Sequence, residues 1–241
     1  VIRLLGLPVL DVPEVEADDV IGTLAKTAAS QGWRVIVSSG DKDLSQLVDE
    51  RITIIDTMTG KVRDVAGVEA EFGVPPRLMV DFQTLVGDAI DNVPGVDKVG
   101  PKTAAKWLQT YGSLDAIVAR AHEIKGAAGD HLRRALDWLP TGRQLLTIRT
   151  DCDLDGHVPG LPSLEALRKR APDTEALRAF YQRYGFKGLA RALGGEGDAA
   201  AAPTPAAVAQ GTLFGDPPPA PALRYETVLD DAGIRPDAAQ G

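Results

Sequence analysis

The chain has 241 residues, of which 44% are hydrophobic, and it carries a formal net charge of −8 at neutral pH. This composition is typical of a chain that folds around a core, and it excludes disorder over most of the length. The lone Cys152 excludes an internal disulfide framework, no Cys and His residues have zinc-ligand spacing, and no apolar run approaches the roughly 20 residues of a membrane span. We therefore expect a cytoplasmic protein that is not inserted in a membrane.

Charge is segregated along the chain. Residues 1–91 carry 8 basic and 16 acidic side chains, residues 92–193 carry 16 and 11, and residues 194–241 carry 2 and 7. Such asymmetry indicates parts that contact partners of different charge. The overall acidity therefore does not exclude a nucleic-acid partner, because the middle of the chain is basic.

Residues 1–91 are predicted to form an α/β core. Apolar residues recur at helical spacing between Val15 and Ser30, and a β-branched run follows at residues 34–38. Further predicted elements are a strand at residues 8–10, helical segments at 44–48, 68–72 and 77–86, and strands at 52–56 and 61–64 around a Thr59-Gly60 turn. This order indicates a parallel sheet covered by helices, in which functional sites lie at the carboxyl ends of the strands.

The remainder of the chain is predicted to be helical and then extended. Helix-sized segments lie at residues 103–111, 113–121, 130–139, 142–148, 164–170 and 174–184. Nine Ala and six Pro among residues 198–222 indicate a flexible linker, and LRYETVLD at residues 223–230 predicts the first strand of another domain. We expect four parts, at residues 1–91, 92–193, 194–222 and 223–241.

Seven carboxylates stand out in three clusters within the first part. They are Glu16, Asp18 and Asp19 in VEADDV, Asp41 and Asp43 in SGDKDL, and Asp88 and Asp91 in GDAIDN. Like charges gathered in one cleft raise one another's pKa unless a cation neutralises them. Hard divalent cations such as Mg²⁺ or Mn²⁺ prefer such oxygen ligands. Two such ions about 4 Å apart can activate a water and stabilise both reacting oxygens of a phosphodiester.

Each cluster taken alone also has a structural interpretation. Asp18 or Asp19 could cap or charge-complement the first turn of a helix, Asp43 could cap the next one, and Asp91 could be a turn residue. A phosphoacceptor pocket places its acidic pair after a strand, whereas Asp18 and Asp19 open a helix, and no 12-residue loop has the EF-hand ligand pattern. The three clusters together favour a metal site.

Three segments resemble the 5′ nuclease domains of bacterial DNA polymerase I, members of the flap endonuclease family. They are VEADDVIGTLA, SSGDKDLSQLV and VGDAIDNVPGVDKVGPKTAAKWL, and the similarity runs over roughly residues 1–193. The resemblance implies a partial parallel-sheet core of the PIN or flap endonuclease type, then an all-α helix-hairpin-helix subdomain. It also implies metal-dependent hydrolysis of DNA at a 5′ end or flap, as in primer and flap removal during replication and repair.

The resemblance also assigns roles to the acidic residues. Glu16 and Asp18 match ligands of the first metal, and Asp19 matches an acidic residue that completes the cluster. The second metal is matched by Asp41, Asp43 and Asp88, with Asp91 beside them.

The same family draws further aspartates from an upstream strand end and threads the 5′ end through a basic, aromatic arch. Nothing in residues 1–15 replaces these parts, and the chain begins at Val1 without Met. We therefore expect an interior piece of a longer protein that is inactive or severely impaired alone. A non-catalytic DNA-binding scaffold is the alternative. A third interpretation, an RNA-cutting enzyme, is disfavoured by the helix-hairpin-helix element.

A glycine-rich turn that leads into a helix follows the acidic clusters and resembles a helix-hairpin-helix motif. The residues predicted to hold DNA there are Gly95, Val96, Lys98, Gly100, Lys102, Thr103 and Lys106. Helix N-terminal amides bind phosphate without reading bases, and lysines add sequence-independent attraction. The family also places K⁺ at this turn through backbone carbonyls. A glycine turn beside a solvated lysine face is the competing interpretation.

One short segment in the predicted linker resembles the peptides that dock bacterial replication proteins on the sliding clamp. It contains Gln210, Leu213 and Phe214. The two apolar side chains would fill a hydrophobic groove on the clamp. A chance match is the competing interpretation, because the pattern is short. Otherwise we expect a monomer whose partner is DNA.

Overall fold

A computed structural model of the chain describes residues 1–193, which fall into two compact units. One unit comprises Leu10–Leu167, and the other combines Val1–Val9 with the described residues from 168 to 193. The predicted linker, the predicted strand at 223–230 and the clamp residues Gln210, Leu213 and Phe214 lie outside the described residues. No helix within the described part is long and apolar enough to cross a membrane. The predicted boundary between residues 91 and 92 stays a prediction.

The larger unit begins with an α/β layer. Helix α1 spans Ala17–Ser30, and strands β1 (Val35–Ser38), β2 (Ile52–Asp56) and β3 (Lys61–Arg63) form a sheet in that order. Strands β1 and β2 are parallel, and β2 and β3 form an antiparallel hairpin. The parallel pair and the hairpin are therefore confirmed. The strand expected at residues 8–10 is wrong, because the described residues 7–12 form no ladder and Pro8 has no N–H to donate to one.

Alternation along β2 anchors this layer. Ile52 and Ile54 are fully buried and join a core with Leu44, while Thr53 and Ile55, which alternate with them, are partly exposed. Strand β1 is an edge of the sheet, and Ile36 on it is 68% exposed. The chain leaves the carboxyl end of β1 at Ser38, and the acidic segment starts shortly after it, at Asp41.

The rest of the larger unit is mainly helical. Its elements are α2 (Val65–Phe72), α3 (Met79–Val86), the two-residue strands β4 (Gly87–Asp88) and β5 (Val93–Pro94), α4 (Pro101–Tyr111), α5 (Leu114–Ala119), α6 (Gly126–Ala135) and α7 (Leu139–Leu146). Short 3-10 turns lie at Asp43–Leu47, Pro76–Leu78 and Glu165–Leu167. Two helices are expected at residues 130–139 and 142–148, but the break lies earlier: α6 ends at Ala135 and α7 begins at Leu139, because Pro140 favours the first turn of a helix.

A partly buried ion pair connects three of these helices. Asp81 on α3 is 7% exposed and accepts hydrogen bonds from the Arg143 Nε atom at 3.1 Å and the Leu114 backbone N–H at 2.8 Å. Arg143 lies on α7, and its Nη1 atom also contacts Asp115 at 2.8 Å. Because β4 follows α3 without a gap, this pair helps to fix the start of the segment that carries Asp88.

The smaller unit consists of a 3-10 turn at Ile2–Leu5 and helices α8 (Thr174–Arg183) and α9 (Lys187–Ala192). Asp173 caps α8 by accepting a hydrogen bond from the Ala176 N–H at 3.0 Å. The predicted helix at residues 174–184 is confirmed. The helix expected at 164–170 is wrong, since only the short turn at Glu165–Leu167 forms there.

A second ion pair supports the loop after β1. Arg63 is 6% exposed, and its Nε atom lies 2.8 Å from the Glu71 Oε2 atom on α2. The Arg63 Nη1 atom also donates to the carbonyls of Gly40 and Asp41, both at 3.4 Å. Glu71 therefore orients the arginine that holds the backbone of the acidic loop.

Replacement of Glu71 by Gln is expected to lower the free energy of unfolding by about 1 kcal/mol at pH 7, after allowance for solvent screening. Burial alone would raise the pKa of Glu71, but hydrogen bonds from Arg63 and Lys61 outweigh it and lower that pKa. The stabilisation is therefore present above the ordinary Glu pKa of about 4.3 and is lost as the pH falls through the lowered value. Urea unfolding at pH 7 and pH 3 measures both. Glu69→Gln, an exposed change on the same helix, is the control, and an equal loss in both variants would contradict the assignment.

Candidate functional site

Six of the seven predicted carboxylates line one pocket in the larger unit. They are Glu16, Asp18 and Asp19 at the start of α1, Asp41 and Asp43 after β1, and Asp91 after β4. The rest of the lining comes from residues 92–93 and 145–148. The seventh carboxylate, Asp88, is only 4% exposed and lies beside Asp43 and Asp91. The structure thus brings together side chains that are up to 75 residues apart in sequence.

Asp43, Asp88 and Asp91 form the tightest group. Each offers a carboxylate oxygen, and these atoms lie within 4.8 Å of one another. Helical geometry, which would place Asp88 and Asp91 on one face, does not persist here because α3 ends at Val86. Instead β4 and β5 pair, and the Asp88 Oδ1 atom accepts hydrogen bonds from the backbone N–H groups of Ile90 at 2.8 Å and Asp91 at 3.4 Å. The two aspartates meet through a tight turn.

That turn depends on close approach between two backbone segments. Gly87 has a positive φ of 81°, and a Cβ atom at Gly95 would lie 2.3 Å from the Val86 carbonyl carbon. Any side chain at Gly95 would separate the strands. Gly95, which the sequence assigns to DNA binding, therefore has a structural role as well.

The capping interpretations of the acidic residues are only partly supported. The N-cap of α1 is Glu16, which makes no side-chain cap hydrogen bond, and the Asp19 Oδ1 atom accepts from the Arg149 N–H at 2.8 Å. Asp41, not Asp43, acts as a local cap, because its Oδ1 atom accepts from the Asp43 N–H at 2.9 Å. The carboxylate of Asp43 faces side chains within the site.

Lys42 lies among these carboxylates, and the acid pattern did not reveal it. Its Nζ atom is 2.8 Å from the Asp43 Oδ1 atom and also pairs with the Asp88 Oδ2 atom. The Gln83 side-chain amide on α3 donates a further hydrogen bond to Asp43. The available signal was the lysine between two aspartates in SGDKDL, which the sequence analysis counted only for its acids.

The opposite wall of the pocket was also missed. The Gln46 side chain donates to the Leu146 carbonyl and accepts from the Ile148 N–H, both at 3.0 Å. Leu145, beside that segment, is 62% exposed and lines the pocket. About 100 residues separate Gln46 from its partners, and no local pattern links them.

The electrostatics indicate an under-neutralised site. Burial raises the pKa of Asp18 to about 6, with further contributions from the charges of Asp41 and Glu16. Burial also raises the pKa of Asp43 despite its contact with Lys42. For Asp88, hydrogen bonds from Lys42 and the backbone outweigh burial and lower the pKa. An all-oxygen donor set with excess negative charge fits hard divalent cations.

The helix-hairpin-helix turn leads into α4, whose N-cap is Gly100. Pro101 has no N–H, and the Thr103 N–H donates to the Gly100 carbonyl at 3.0 Å. Within the described chain, this leaves the N–H groups of Gly100 and Lys102 to bind a phosphate, in an open depression lined by residues 100–103. Val96 is only 2% exposed and its N–H donates to the Leu85 carbonyl at 2.9 Å, so this residue lies in the core and not at the predicted DNA-holding surface.

Three lysines extend this surface. Lys98, Lys102 and Lys106 are exposed, and none of them forms a salt bridge with any residue of the described part of the chain. The nearby acid Asp97 contacts the His131 Nδ1 atom instead, at 2.7 Å. The three lysines are therefore accessible to solvent.

Two family models match the chain in succession. They are the 5′-3′ exonuclease N-terminal resolvase-like domain over residues 1–73 and the 5′-3′ exonuclease C-terminal SAM fold over residues 74–174. DNA polymerase I of Pseudomonas aeruginosa is 40% identical over 247 residues, which is 97% of this chain and 25% of that protein. The 5′-3′ exonuclease of Aquifex aeolicus is 36% identical, over 78% of this chain and 62% of that protein.

Solved structures show the same fold. T5 5′-exonuclease with bound zinc has a TM-score of 0.54 at 20% identity, over 58% of this chain and 52% of that chain. A complex of T5 flap endonuclease with DNA and metal ions also has a TM-score of 0.54, at 19% identity and the same coverage. The solved structures share the fold, and the two family models together span residues 1–174. The chain belongs to the 5′-3′ exonuclease family. It spans 25% of the length of the DNA polymerase I of Pseudomonas aeruginosa.

Asp18→Asn is expected to raise the free energy of unfolding of the metal-free protein by about 1 kcal/mol at pH 7, after allowance for partial exposure. The reason is that it removes a partly buried negative charge repelled by the neighbouring carboxylates. With a folded pKa of about 6, above the ordinary Asp value, the penalty is present at pH 7 and disappears below about pH 4. Urea unfolding in EDTA at both pH values measures the change.

Asp137→Asn, which changes an exposed carboxylate outside the pocket lining, is the control for this comparison. Saturating Mg²⁺ is expected to stabilise the wild type more than Asp18→Asn, since a ligand that binds only the folded state adds to its stability. A variant that is less stable than wild type in EDTA at pH 7 would contradict the electrostatic account.

Proposed function

We propose that the chain carries the catalytic pocket and DNA-holding surface of a two-metal 5′ nuclease that hydrolyses DNA at or near a 5′ end or flap. The observation that carries this proposal is the pocket lined by six carboxylates, in which the pKa of Asp18 rises to about 6. Further support comes from the family matches and from the metal ions and DNA bound in the T5 structures.

The acidic residues divide into two sets of metal ligands. We assign Glu16 and Asp18 to the first Mg²⁺ or Mn²⁺ ion, with Asp19 completing the cluster. The second ion is assigned to Asp41, Asp43 and Asp88, with Asp91 beside them, and the 4.8 Å limit on the Asp43, Asp88 and Asp91 oxygens supports this group. When bound, such ions supply water activation and charge stabilisation of the attacking and leaving oxygens.

The helix-hairpin-helix surface holds the duplex in this proposal. The N–H groups of Gly100 and Lys102 bind a backbone phosphate, and the three exposed lysines add attraction that does not depend on sequence. The backbone carbonyls of the turn at residues 95–98 are the ligands for the proposed K⁺ ion. The basic surface thereby compensates for the acidity of the pocket.

The wider role follows from the relatives. Within a DNA polymerase I, this activity would remove primers and displaced strands during replication and repair at the nucleoid. We also propose that the chain alone turns over slowly, because residues 1–15 contain neither the additional aspartates nor the arch of the family pattern. Docking of Leu213 and Phe214 on the sliding clamp and a monomeric state remain proposals.

Calorimetric titration with Mn²⁺ tests the nuclease assignment without requiring turnover. Two binding sites of sub-millimolar affinity are expected, and Asp43→Asn combined with Asp88→Asn is expected to remove one of them. The single change Asp137→Asn is the control. Binding of flap DNA without any divalent-metal site would instead support the scaffold alternative. Flap cleavage in Mg²⁺ at the rate of an intact 5′ nuclease would contradict the proposed impairment.

Lys102→Gln combined with Lys106→Gln is expected to weaken binding to a 5′-flap duplex by a similar factor for every sequence. The negative slope of log K against log salt should decrease in magnitude by about 1 for each lysine removed. Fluorescence anisotropy in Ca²⁺ at several salt concentrations measures both. Lys125→Gln, an exposed lysine outside the turn, should leave the slope unchanged. A loss confined to some sequences would argue against phosphate contact.

A further inference from the structure

Lys42 lies at the end of the acidic pocket where Asp43 lines it and Asp88 is buried beside it. Its ammonium contacts one oxygen of each, and the three side chains are 39%, 17% and 3% exposed, respectively. The same two aspartates belong, with Asp91, to the group whose oxygens lie within 4.8 Å of one another. A lysine ammonium therefore lies where the chain offers its most compact set of oxygen ligands.

The two halves of the pocket are neutralised differently. Burial raises the pKa of Asp18, and the neighbouring negative charges raise it further. These charges belong to Asp41, Glu16, Asp43 and Asp19. Around Asp88, a cation of the chain itself supplies the compensation, and the nearly complete burial of that carboxylate depends on it. Removal of this cation would leave a buried negative charge with backbone N–H donors but without an opposite charge.

The attachment of Lys42 allows it to leave without movement of the backbone. The residue is the N-cap of the 3-10 turn at Asp43–Leu47, and its side chain is partly exposed. A lysine has a flexible four-carbon stem and a strongly hydrated head, so rotation about side-chain bonds transfers the ammonium into water. Asp43 and Asp88 have other hydrogen-bond donors, Gln83 and the Ile90 N–H, which hold them in place when Lys42 departs.

We propose that Lys42 is a resident counterion that competes with a divalent cation for Asp43 and Asp88. This inference rests on the proposed two-metal site. Lys42 keeps the two carboxylates close together in the metal-free protein, and a divalent ion binds there only by displacing the ammonium. The half of the pocket around Glu16 and Asp18 contains no such competitor among the described residues. Metal is therefore bound with unequal affinity, and the weaker site is the one that Lys42 occupies.

A purely structural ion pair makes the opposite prediction. If Lys42 only fixed the loop, its removal would disorder Asp43 and weaken metal binding or leave it unchanged. Competition requires that removal strengthens metal binding at the same carboxylates. The sign of the change in affinity therefore separates the two roles.

Calorimetric titration of the full chain with Mn²⁺ tests the proposal. Wild type is expected to show two classes of site, and Lys42→Gln is expected to tighten the weaker class by about tenfold or more, the factor that corresponds to 1.4 kcal/mol. Lys42→Arg retains the positive charge and should leave that class no tighter than in wild type. Lys26→Gln is the matched control, because Lys26 pairs with Asp49 at 2.7 Å, has a similar exposure of 37% and forms no salt bridge with the seven site carboxylates.

Stability provides a readout independent of calorimetry. In EDTA, Lys42→Gln should unfold at a lower temperature than wild type, and saturating Mn²⁺ should remove most of that difference. A second measurement uses wild type alone, in case the variant does not fold in EDTA. Acylation of Lys42 by an amine-directed reagent, read by mass spectrometry, should increase when Mn²⁺ is added.

The outcomes separate this inference from the proposed function. Two metal sites in wild type with unchanged or weaker binding in Lys42→Gln would overturn the counterion role and leave the metal site intact. Unchanged acylation of Lys42 on addition of Mn²⁺ would overturn it as well. Absence of any Mn²⁺ binding in wild type would overturn both proposals.

Discussion

Repulsion among carboxylates is the constraint on which the rest of the larger unit depends. Six of them line one pocket and a seventh lies buried beside it, so the fold has to hold together groups that repel one another. Hydrogen bonds from backbone N–H groups fix Asp19, Asp41 and Asp88, while Lys42 supplies the opposite charge at one end. The raised pKa of Asp18 shows that this compensation is incomplete.

Residues that do not themselves line the pocket hold its loop and its wall in place. Glu71 orients Arg63, which holds the carbonyls of the loop at residues 40–41, and Gln46 holds the opposite wall. The partly buried Asp81 and Arg143 pair joins the helix before Asp88 to the helix that ends at that wall. The arrangement of the acids is thus determined by polar contacts over long sequence separations as much as by the sheet.

Local patterns were sufficient for some elements and insufficient for others. Helix α1, the parallel pair β1 and β2 and the hairpin followed from apolar spacing and turn residues, and the gathering of the acids followed from their positions at strand and helix ends. The turn between Asp88 and Asp91 could not be predicted, because it depends on contact between Gly87 and Gly95. Lys42 could not be predicted because a lysine in an acidic motif has no periodic signature, and the break between α6 and α7 lies before the predicted helix end at residue 139 because Pro140 favours a first turn.

Pairing between β4 and β5 places Asp88 and the glycine-rich turn on a single stretch of backbone. Asp88 lies opposite Val93, and the Val96 N–H returns to the Leu85 carbonyl at 2.9 Å. On the proposed function, the distance between the bound phosphate and the scissile bond is therefore set by covalent geometry, one short ladder and one further backbone hydrogen bond. Because this connection fixes that distance, the position of the cut along a duplex should not change with temperature or with base composition.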